Sequence, residues 1–253
     1  MEQRPLYIAS CSFGKDSIAT ILLALEHNEP LDRAVFVEVM FDNKRGISGE
    51  IPEHIEWVYS TAIPKLESMG VKVDVVRSEN DYIGCFFRKL TRSKYPERIG
   101  KVQGFPYSMG CQILRDCKMP AVKKYLAQFA NVVRYVGIAS DEKNRLERLN
   151  GQISLLAKYG ISEKGAWEMC EKAGLLSPVY RIKKRNGCWF CPNVNAAYLA
   201  HLKLTTPHLY DELKRLSKIP NKVSDCFCYS RTFEEVEEQV QRIIEKQQQL
   251  KLF

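Results

Sequence analysis

Short apolar runs alternate with longer segments whose apolar residues recur at helical spacing through most of the chain. The short runs predict buried strands at residues 6–10, 34–41, 71–76 and 132–139. The longer segments predict helices at residues 16–27, 51–69, 81–92, 113–129, 141–159 and 162–173. Strands that alternate with helices in this way predict an α/β fold with a doubly wound, mostly parallel sheet and right-handed crossovers.

Prolines and glycines mark interruptions in this pattern. Pro64 and Pro120 lie inside predicted helices and predict a kink or a break at each position, because proline removes a helical N–H. Residues 94–110 contain two prolines and three glycines, which predicts a long loop. Loops of that length in a compact domain tend to be functional or mobile.

The last third of the chain has a different pattern. A basic connector at residues 176–186 precedes three segments with helical spacing, at 195–204, 208–217 and 233–250. The pattern predicts a domain boundary near residue 180. An α/β domain would occupy residues 1–180, and a helical C-terminal region that contains cysteines would occupy residues 181–253.

Composition narrows the class of protein. With 253 residues, 45% hydrophobic and 27% charged, the chain has the composition of a soluble globular protein. It contains neither an apolar run of membrane-spanning length nor a signal-peptide core, which predicts a cytoplasmic protein with no membrane partner. A net charge of +8 favours polyanionic partners such as nucleotides or nucleic acid, and a generally basic surface explains it equally well. The sequence does not indicate an oligomeric state.

One polar loop combines features of a phosphate site. It lies between the first predicted strand and the first predicted helix, where backbone N–H groups and a helix N-terminus point at one place. Lys15 adds a cation there, and Asp16 suits either a bound Mg²⁺ or a helix cap. An ordinary capped turn is the alternative interpretation. The expected nucleotide-binding residues of this loop are Ser12, Phe13, Gly14, Lys15, Asp16 and Ser17.

A second candidate anion site follows the strand predicted at residues 132–139. Gly137 lies near its end, and Asp141 and Arg145 lie where the next helix is predicted to begin. A glycine at a strand end followed by a helix start and an arginine is a geometry that binds anions. We therefore expect Arg145 to contact a phosphate or sulfate, with Gly137 and Asp141 nearby. The alternative is a surface helix start whose acidic residues favour the helix dipole.

Cysteines form the third constellation. Nine cysteines in a reducing compartment are more plausibly metal ligands, reactive thiols or core residues than disulfides. Residues 111–120 have the pattern C-x₅-C-x₂-P, and residues 187–192 the pattern G-C-x-x-C-P. Four ligands would then be Cys111, Cys117, Cys188 and Cys191, which suit a [4Fe–4S] cluster or Zn²⁺. A metal-free redox pair and buried structural thiols stay open, and so does the role of Cys226 and Cys228 as further ligands or a resolving thiol.

The S-x-G-x-D-S loop resembles the pyrophosphate loop of the adenine nucleotide α-hydrolase-like (PP-loop) superfamily. Three features resemble the phosphoadenosine phosphosulfate (PAPS) reductase family: the Phe-Gly-Lys residues inside this loop, the Gly137–Arg145 segment and the cysteine segments. The resemblance implies an enzyme that binds ATP or a PAPS-like adenine nucleotide with Mg²⁺ and acts at the α-phosphate. Lys15, Asp16 and Arg145 would be its catalytic residues. It further implies adenylation linked to sulfur transfer, with nucleic acid or a sulfur-carrier protein as a partner.

Two other functions stay open. One is a sulfonucleotide (PAPS or adenylylsulfate) reductase, in which Cys226 or Cys228 would replace the nucleophile of the family's Glu-Cys-Gly tail. The chain ends in Lys-Leu-Phe instead, which favours adenylation over reduction. The other is a nucleotide- or nucleic-acid-binding protein without turnover, which the basic charge and the helical C-terminal region suggest.

Overall fold

A computed structural model describes residues 4–106, 110–228 and 230–250. Its strands are β1 Leu6–Ser10, β2 Arg33–Glu38, β3 Met40–Asp42, β4 Ile47–Ser48, β5 Lys72–Arg77, β6 Val132–Val136, β7 Gln152–Ile153, β8 Cys226–Cys228 and β9 Arg231–Thr232. Its α-helices are α1 Lys15–Glu26, α2 Pro52–Trp57, α3 Ile63–Ser68, α4 Tyr82–Phe87, α5 Met119–Leu126, α6 Lys143–Leu146, α7 Leu155–Lys158, α8 Glu163–Lys172, α9 Ala196–Thr205, α10 Pro207–Ser217 and α11 Phe233–Leu250.

The main sheet has five strands in the order β5-β2-β1-β6-β7, and all of its pairings are parallel. Residues of α1, α3 and α8 share one buried cluster with Ala9 and Phe36 on one face of the sheet. Tyr125 of α5 packs with Ile8 and Val35 on the other face. Alternate residues of β1 and β2 thus enter different cores, because side chains alternate across a strand. The predicted α/β fold with a doubly wound parallel sheet is confirmed.

The chain forms two compact units, and neither is continuous in sequence. The first, which we call the sheet unit, comprises Met1–Glu38, Glu50–Ser78 and Lys118–Asn186. The second unit comprises Val39–Gly49, Glu79–Cys117 and Gly187–Phe253. The chain last crosses from the sheet unit to the second unit between Asn186 and Gly187. The domain boundary that the sequence predicts near residue 180 stays a prediction.

The apolar run at residues 34–41 belongs to two strands instead of one. β2 ends at Glu38, whose buried carboxylate accepts hydrogen bonds from Arg77 on β5 and from the Tyr59 hydroxyl. β3 then pairs antiparallel with β4 in the second unit, where the Phe41 ring packs 4.6 Å from the Trp189 ring. Both halves of the run are buried, so hydrophobicity alone indicates burial but not which core buries each half.

The helix predicted at residues 141–159 is wrong in extent. Helices α6 and α7 occupy only its two ends, and strand β7 lies between them. The first helix ends at Leu146, and Gly151, whose φ of +66° is a left-handed conformation, lies immediately before β7. Ser154 then starts α7, because its Oγ accepts a hydrogen bond from Ala157 N. The same hydroxyl donates to the Ile138 carbonyl at 2.6 Å, which ties the segment to the end of β6.

Prolines in two predicted helices change the winding without ending the helix. Residues Val58–Ala62 form a π-helical turn between α2 and α3, and Leu114–Lys118 form another before α5. Pro64 and Pro120 each lie in the first turn of the α-helix that follows. A wider turn before a proline accommodates its ring and its missing N–H. Of the helices within the described ranges, none is both long and apolar enough to cross a bilayer.

Candidate functional site

The loop after β1 is held in shape by its own serines. Ser17 Oγ accepts a hydrogen bond from Ser12 N at 3.2 Å and donates one to the Gly14 carbonyl at 2.9 Å. Phe13 has φ +56°, which is uncommon for a residue with a side chain. Its ring is fully buried and packs edge-on against Phe36 at 5.1 Å. Phe13 therefore anchors the loop in the core, whereas the sequence had indicated a nucleotide-binding residue.

Two backbone N–H groups of this loop are available for a ligand. Within the described chain, the N–H groups of Gly14 and Asp16 have no hydrogen-bond acceptor. The N–H of Lys15, which lies between these two residues, donates to the Tyr180 hydroxyl at 2.8 Å. Unpaired N–H groups at the first turn of a helix, together with the helix dipole, favour an anion.

A close approach between two segments forms the pocket beside the loop. A Cβ added at Gly137 would lie 2.6 Å from the Asp16 carbonyl carbon and 2.7 Å from Ser17 N, so only glycine fits there. The resulting cavity has a volume of about 350 Å³, within the range of small-ligand sites. We call it the polar pocket. It is lined by Ser10, Ser12, Gly14, Asp16, Ser17, Val136, Gly137, Ile138, Arg145 and Gln152.

The lysine of the loop does not itself line the polar pocket but contacts a residue that does. Lys15 Nζ is 2.7 Å from one carboxylate oxygen of Asp16 and 3.9 Å from Glu163. Its side chain is mostly buried, so the Coulomb attraction is less screened than at the surface. Asp16 does line the pocket, and its second carboxylate oxygen has no partner among the described residues. Lys15 therefore orients Asp16.

The predicted residues after β6 take separate roles. Arg145 lines the polar pocket, with its guanidinium bound to both oxygens of Glu142 at 2.6 and 2.7 Å. Asp141 lies instead at the start of α8, where its carboxylate accepts a hydrogen bond from Glu163 N at 3.2 Å. An acidic side chain at that position satisfies a free helical N–H and favours the helix dipole. Arg145 and Gly137 thus belong to the pocket, and Asp141 caps a helix.

An arginine for which the sequence analysis indicated no role contacts a residue that lines the polar pocket. Arg134 lies on β6 two residues before Val136, on the same face of the strand. Its guanidinium donates to Ser10 Oγ, a pocket-lining atom, at 3.2 Å, and its buried Nε has no partner in the described chain. Burial lowers the pKa of this guanidinium from its usual value. A charged arginine inside an apolar run was the signal in the sequence, because such a residue needs a partner when it is buried.

A buried histidine, His54, contacts the backbone of the loop after β1. His54 is fully buried, with Nδ1 2.8 Å from Ser177 Oγ and Nε2 3.2 Å from the Ser12 carbonyl oxygen. Asn186 Nδ2 lies 2.8 Å from His54 Nε2 and also donates to the Ser12 carbonyl. Burial lowers the pKa of His54 from 6.5 to about 4, so the ring is neutral at physiological pH. Nothing in the local sequence pattern distinguishes His54 from a surface histidine.

Three cysteines of the second unit line one small apolar cavity. We call it the cysteine cavity; its volume is about 30 Å³, roughly that of one water molecule. Cys188 and Cys191 come from one tight turn, in which Cys191 N donates to the Cys188 carbonyl at 3.3 Å, and Cys111 comes from a distant segment. The lining residues are Tyr82, Phe105, Pro106, Cys111, Ile113, Cys188, Phe190, Cys191, Pro192 and Phe227.

The fourth expected metal ligand does not line this cavity. Cys117 is buried, and its Sγ lies 3.7 Å from Cys85 Sγ. A hydrogen bond between the two thiols lowers the pKa of Cys85 and raises that of Cys117. Cys117 thus pairs with a residue for which the sequence analysis proposed no role. Its position after Cys111 on a π-helical turn explains the separation, because the wider turn changes which side chains share a face.

Cys226 and Cys228 do not line the cysteine cavity. Cys226 and Cys228 flank Phe227 on β8, and Phe227 lines the cysteine cavity. The pairing of β8 with β9 is irregular between Cys226 and Cys228, and neither thiol lines the cavity. Cys228 Sγ accepts a hydrogen bond from Arg231 at 3.6 Å. This geometry does not support a role for either thiol as a further ligand at the cavity.

Thiolates are the donors that iron–sulfur clusters and Zn²⁺ prefer, so the chemistry of the three lining cysteines suits a soft metal centre. Across residues 4–106, 110–228 and 230–250, no three His, Cys, Asp or Glu side chains are gathered closely enough to hold a metal ion. The three thiols therefore line one cavity without converging on one point. An apolar wall around them would exclude water from a metal bound there.

No protein-family model and no curated protein sequence matches the chain. Among solved structures, the U34-tRNA thiolase NcsA from Methanococcus maripaludis with its [4Fe–4S] cluster is similar to it, with a TM-score of 0.44 and 15% sequence identity. The similarity covers 96% of this chain and 73% of that chain. A likeness at this level carries no argument about the function of this protein.

Proposed function

We propose that this chain is an enzyme that binds ATP or a related adenine nucleotide in the polar pocket and acts at its α-phosphate. The observation that carries the proposal is that Gly14 and Asp16, whose N–H groups have no acceptor within the described chain, line one pocket with Arg145 at the carboxyl ends of β1 and β6. Ligands of doubly wound sheets bind at such strand ends. Arg134, which donates to the pocket-lining Ser10 and has no carboxylate partner in the described chain, would add a positive charge that favours bound phosphate.

The reaction we propose is adenylation. An oxygen of the acceptor forms a bond to the α-phosphorus, the bond from that phosphorus to the bridging oxygen breaks, and pyrophosphate leaves with the electron pair. The acceptor proton passes to solvent. The loop N–H groups and Arg145 would stabilise the charge that develops on the phosphate oxygens, because they are already oriented before the reaction. Asp16 would hold Mg²⁺ through its unpaired oxygen, and the ion would supply further charge neutralisation.

We further propose that Cys111, Cys188 and Cys191 move closer together when they bind a soft metal. The thiolate-bound centre would serve transfer of sulfide-level sulfur to the activated acceptor, from which AMP would leave. Three protein ligands leave one coordination position open, as in catalytic metal sites. The support is that three thiols from two distant segments line one apolar cavity. Cys117 is excluded from this ligand set because it pairs with Cys85.

The nucleotide is tested by calorimetric titration of the anaerobically purified protein with ATP, PAPS and inorganic pyrophosphate, each with Mg²⁺. We expect ATP to bind, and Arg145→Ala to weaken it about 10-fold or more, the cost of a lost charged hydrogen bond. Arg148→Ala is the matched control, because Arg148 lies outside the polar pocket. Pyrophosphate release from ATP would then be measured with candidate acceptors.

The other outcomes decide between the open alternatives. Tighter binding of PAPS than of ATP, with release of sulfite, would replace adenylation by sulfonucleotide reduction. ATP binding without pyrophosphate release for any acceptor would support a binding protein without turnover. Equal loss of affinity in Arg145→Ala and Arg148→Ala would show that the polar pocket is not the nucleotide site.

A further inference from the structure

A basic hairpin lies in the second unit, between α4 and Cys111 in the sequence. We call residues 88–103 the basic arm. Its two sides are joined by backbone hydrogen bonds from Leu90 N to Lys101 O at 3.0 Å and from Gln103 N to Arg88 O at 2.8 Å. Its base is tied down by Val102 N, which donates to Asn221 O at 3.0 Å. The arm is therefore an ordered part of the second unit, and residues 91–99 form its tip.

The charged residues of the basic arm are almost all positive. Residues 88–101 contain six arginines and lysines and a single glutamate, Glu97. Arg88 forms an ion pair with Asp116 at 2.6 Å. The other five cations have no acidic partner within the described residues: Lys89, Arg92, Lys94, Arg98 and Lys101. Uncompensated like charges repel one another at the cost of stability, and an anionic partner would relieve that repulsion.

The tip of the arm also exposes apolar and aromatic surface. The Tyr95 side chain is 48% exposed and Ile99 is 51% exposed, so neither contributes to a core. The Arg98 guanidinium lies over the Tyr95 ring at 4.4 Å from its centroid. A tyrosine stacked on an arginine is a flat surface of the kind on which nucleic-acid bases stack.

We propose that the basic arm binds single-stranded nucleic acid. Its free cations would contact the phosphates, and the Tyr95–Arg98 pair would stack on a base. An acidic protein segment would use the cations but leave the exposed aromatic surface unexplained. A membrane surface would require an amphipathic helix, and the tip contains only the short 3₁₀ turn Pro96–Arg98. This inference does not depend on which nucleotide occupies the polar pocket.

The test is fluorescence anisotropy of the full-length protein with a labelled mixed-sequence oligonucleotide of about 20 nucleotides. RNA and DNA of the same sequence are compared over about 50 to 200 mM salt. Arg92→Gln/Lys94→Gln removes two charges from the tip, and Lys218→Gln/Lys246→Gln removes two exposed charges elsewhere in the second unit as the matched control. We expect the tip variant to reduce the slope of log K against log salt by about 1.4 and the control to keep it.

Stacking is tested separately from charge. Tyr95→Leu keeps an apolar side chain at the tip and removes the aromatic ring, so we expect affinity to fall about 5- to 100-fold with an unchanged salt slope. Circular dichroism of each variant would verify the fold, which these exposed positions should not disturb. Preference for RNA or for DNA would identify the natural polymer.

Three results would overturn the proposal. The first is no anisotropy change with either oligonucleotide at low salt. The second is equal weakening by the tip variant and the Lys218/Lys246 variant, which would show a response to net charge alone. The third is equal competition by polyglutamate together with an unchanged affinity of Tyr95→Leu, which would show a general polyanion surface.

Discussion

The polar pocket and the cysteine cavity are built in different ways. Backbone atoms of regular elements shape the pocket: the end of β1, the first turn of α1 and the close approach of Gly137. Side chains shape the cavity, and they come from helix α4, residues 105–106 and 111–113, the turn at residues 188–192 and strand β8. Backbone geometry follows from sheet topology, whereas the cavity depends on how several irregular segments pack.

This difference explains how well each site is indicated by short motifs. The S-x-G-x-D-S loop is local, so six consecutive residues contain most of its geometry. The cysteine motifs indicate which residues supply sulfur donors, but they do not indicate where each side chain points. Cys111 and Cys117 could bind one metal only if both thiols faced the same site. They do not, because Cys117 turns toward Cys85. Local motifs therefore predict the pocket more completely than the cavity.

The largest expected effect is on metal binding at the cysteine cavity. We expect the anaerobically purified protein to contain iron or zinc by elemental analysis, and Cys188→Ser to remove it, because a serine oxygen is a poor ligand for a soft metal. Cys111→Ser and Cys191→Ser should have the same effect. Cys117→Ser is the matched control and should retain the metal. Loss of metal from Cys117→Ser as well would restore the four-cysteine ligand set.

Gly137→Ala tests whether backbone contact shapes the polar pocket. The new Cβ would meet backbone atoms of Asp16 and Ser17 at 2.6–2.8 Å, and backbone cannot move aside as a side chain can. We expect the free energy of unfolding to fall by about 3 kcal/mol in urea denaturation. Gly14→Ala is the control, because its Cβ would meet only side-chain atoms, the Tyr180 hydroxyl at 3.3 Å and Ser12 Oγ at 3.5 Å, and should cost less than about 1 kcal/mol. Equal effects of the two variants would contradict this account.

His54 makes the loop of the polar pocket sensitive to acid. Its pKa of about 4 in the folded protein lies below the 6.5 of an exposed histidine, so the unfolded chain binds more protons between these two values. The free energy of unfolding should therefore fall as the pH is lowered through that window, with about 2 kcal/mol of the loss between pH 7 and pH 5. Urea denaturation at both pH values measures it. In His54→Gln this part of the pH dependence should be absent; an unchanged dependence would assign it to other groups.

Tyr180→Phe should have the smallest effect. It removes the hydroxyl that accepts the hydrogen bond from Lys15 N, and leaves that N–H without its partner. We expect a loss of about 1 kcal/mol in the free energy of unfolding. Affinity for ATP should change little, because Tyr180 does not line the polar pocket. A loss of ATP binding with unchanged stability would instead place the hydroxyl at the ligand.

The alternation of apolar runs and helical segments by itself determined the α/β fold with its parallel sheet, because strand burial and helix amphipathicity are properties of neighbouring residues. It also determined where the loop between β1 and α1 lies, since that loop joins consecutive elements. Only the tertiary structure decided that residues 34–41 divide between two units, that Cys117 pairs with Cys85, and that Arg134 and His54 support the polar pocket. These contacts join residues far apart in the chain, and their partners are set by packing, which no local pattern records.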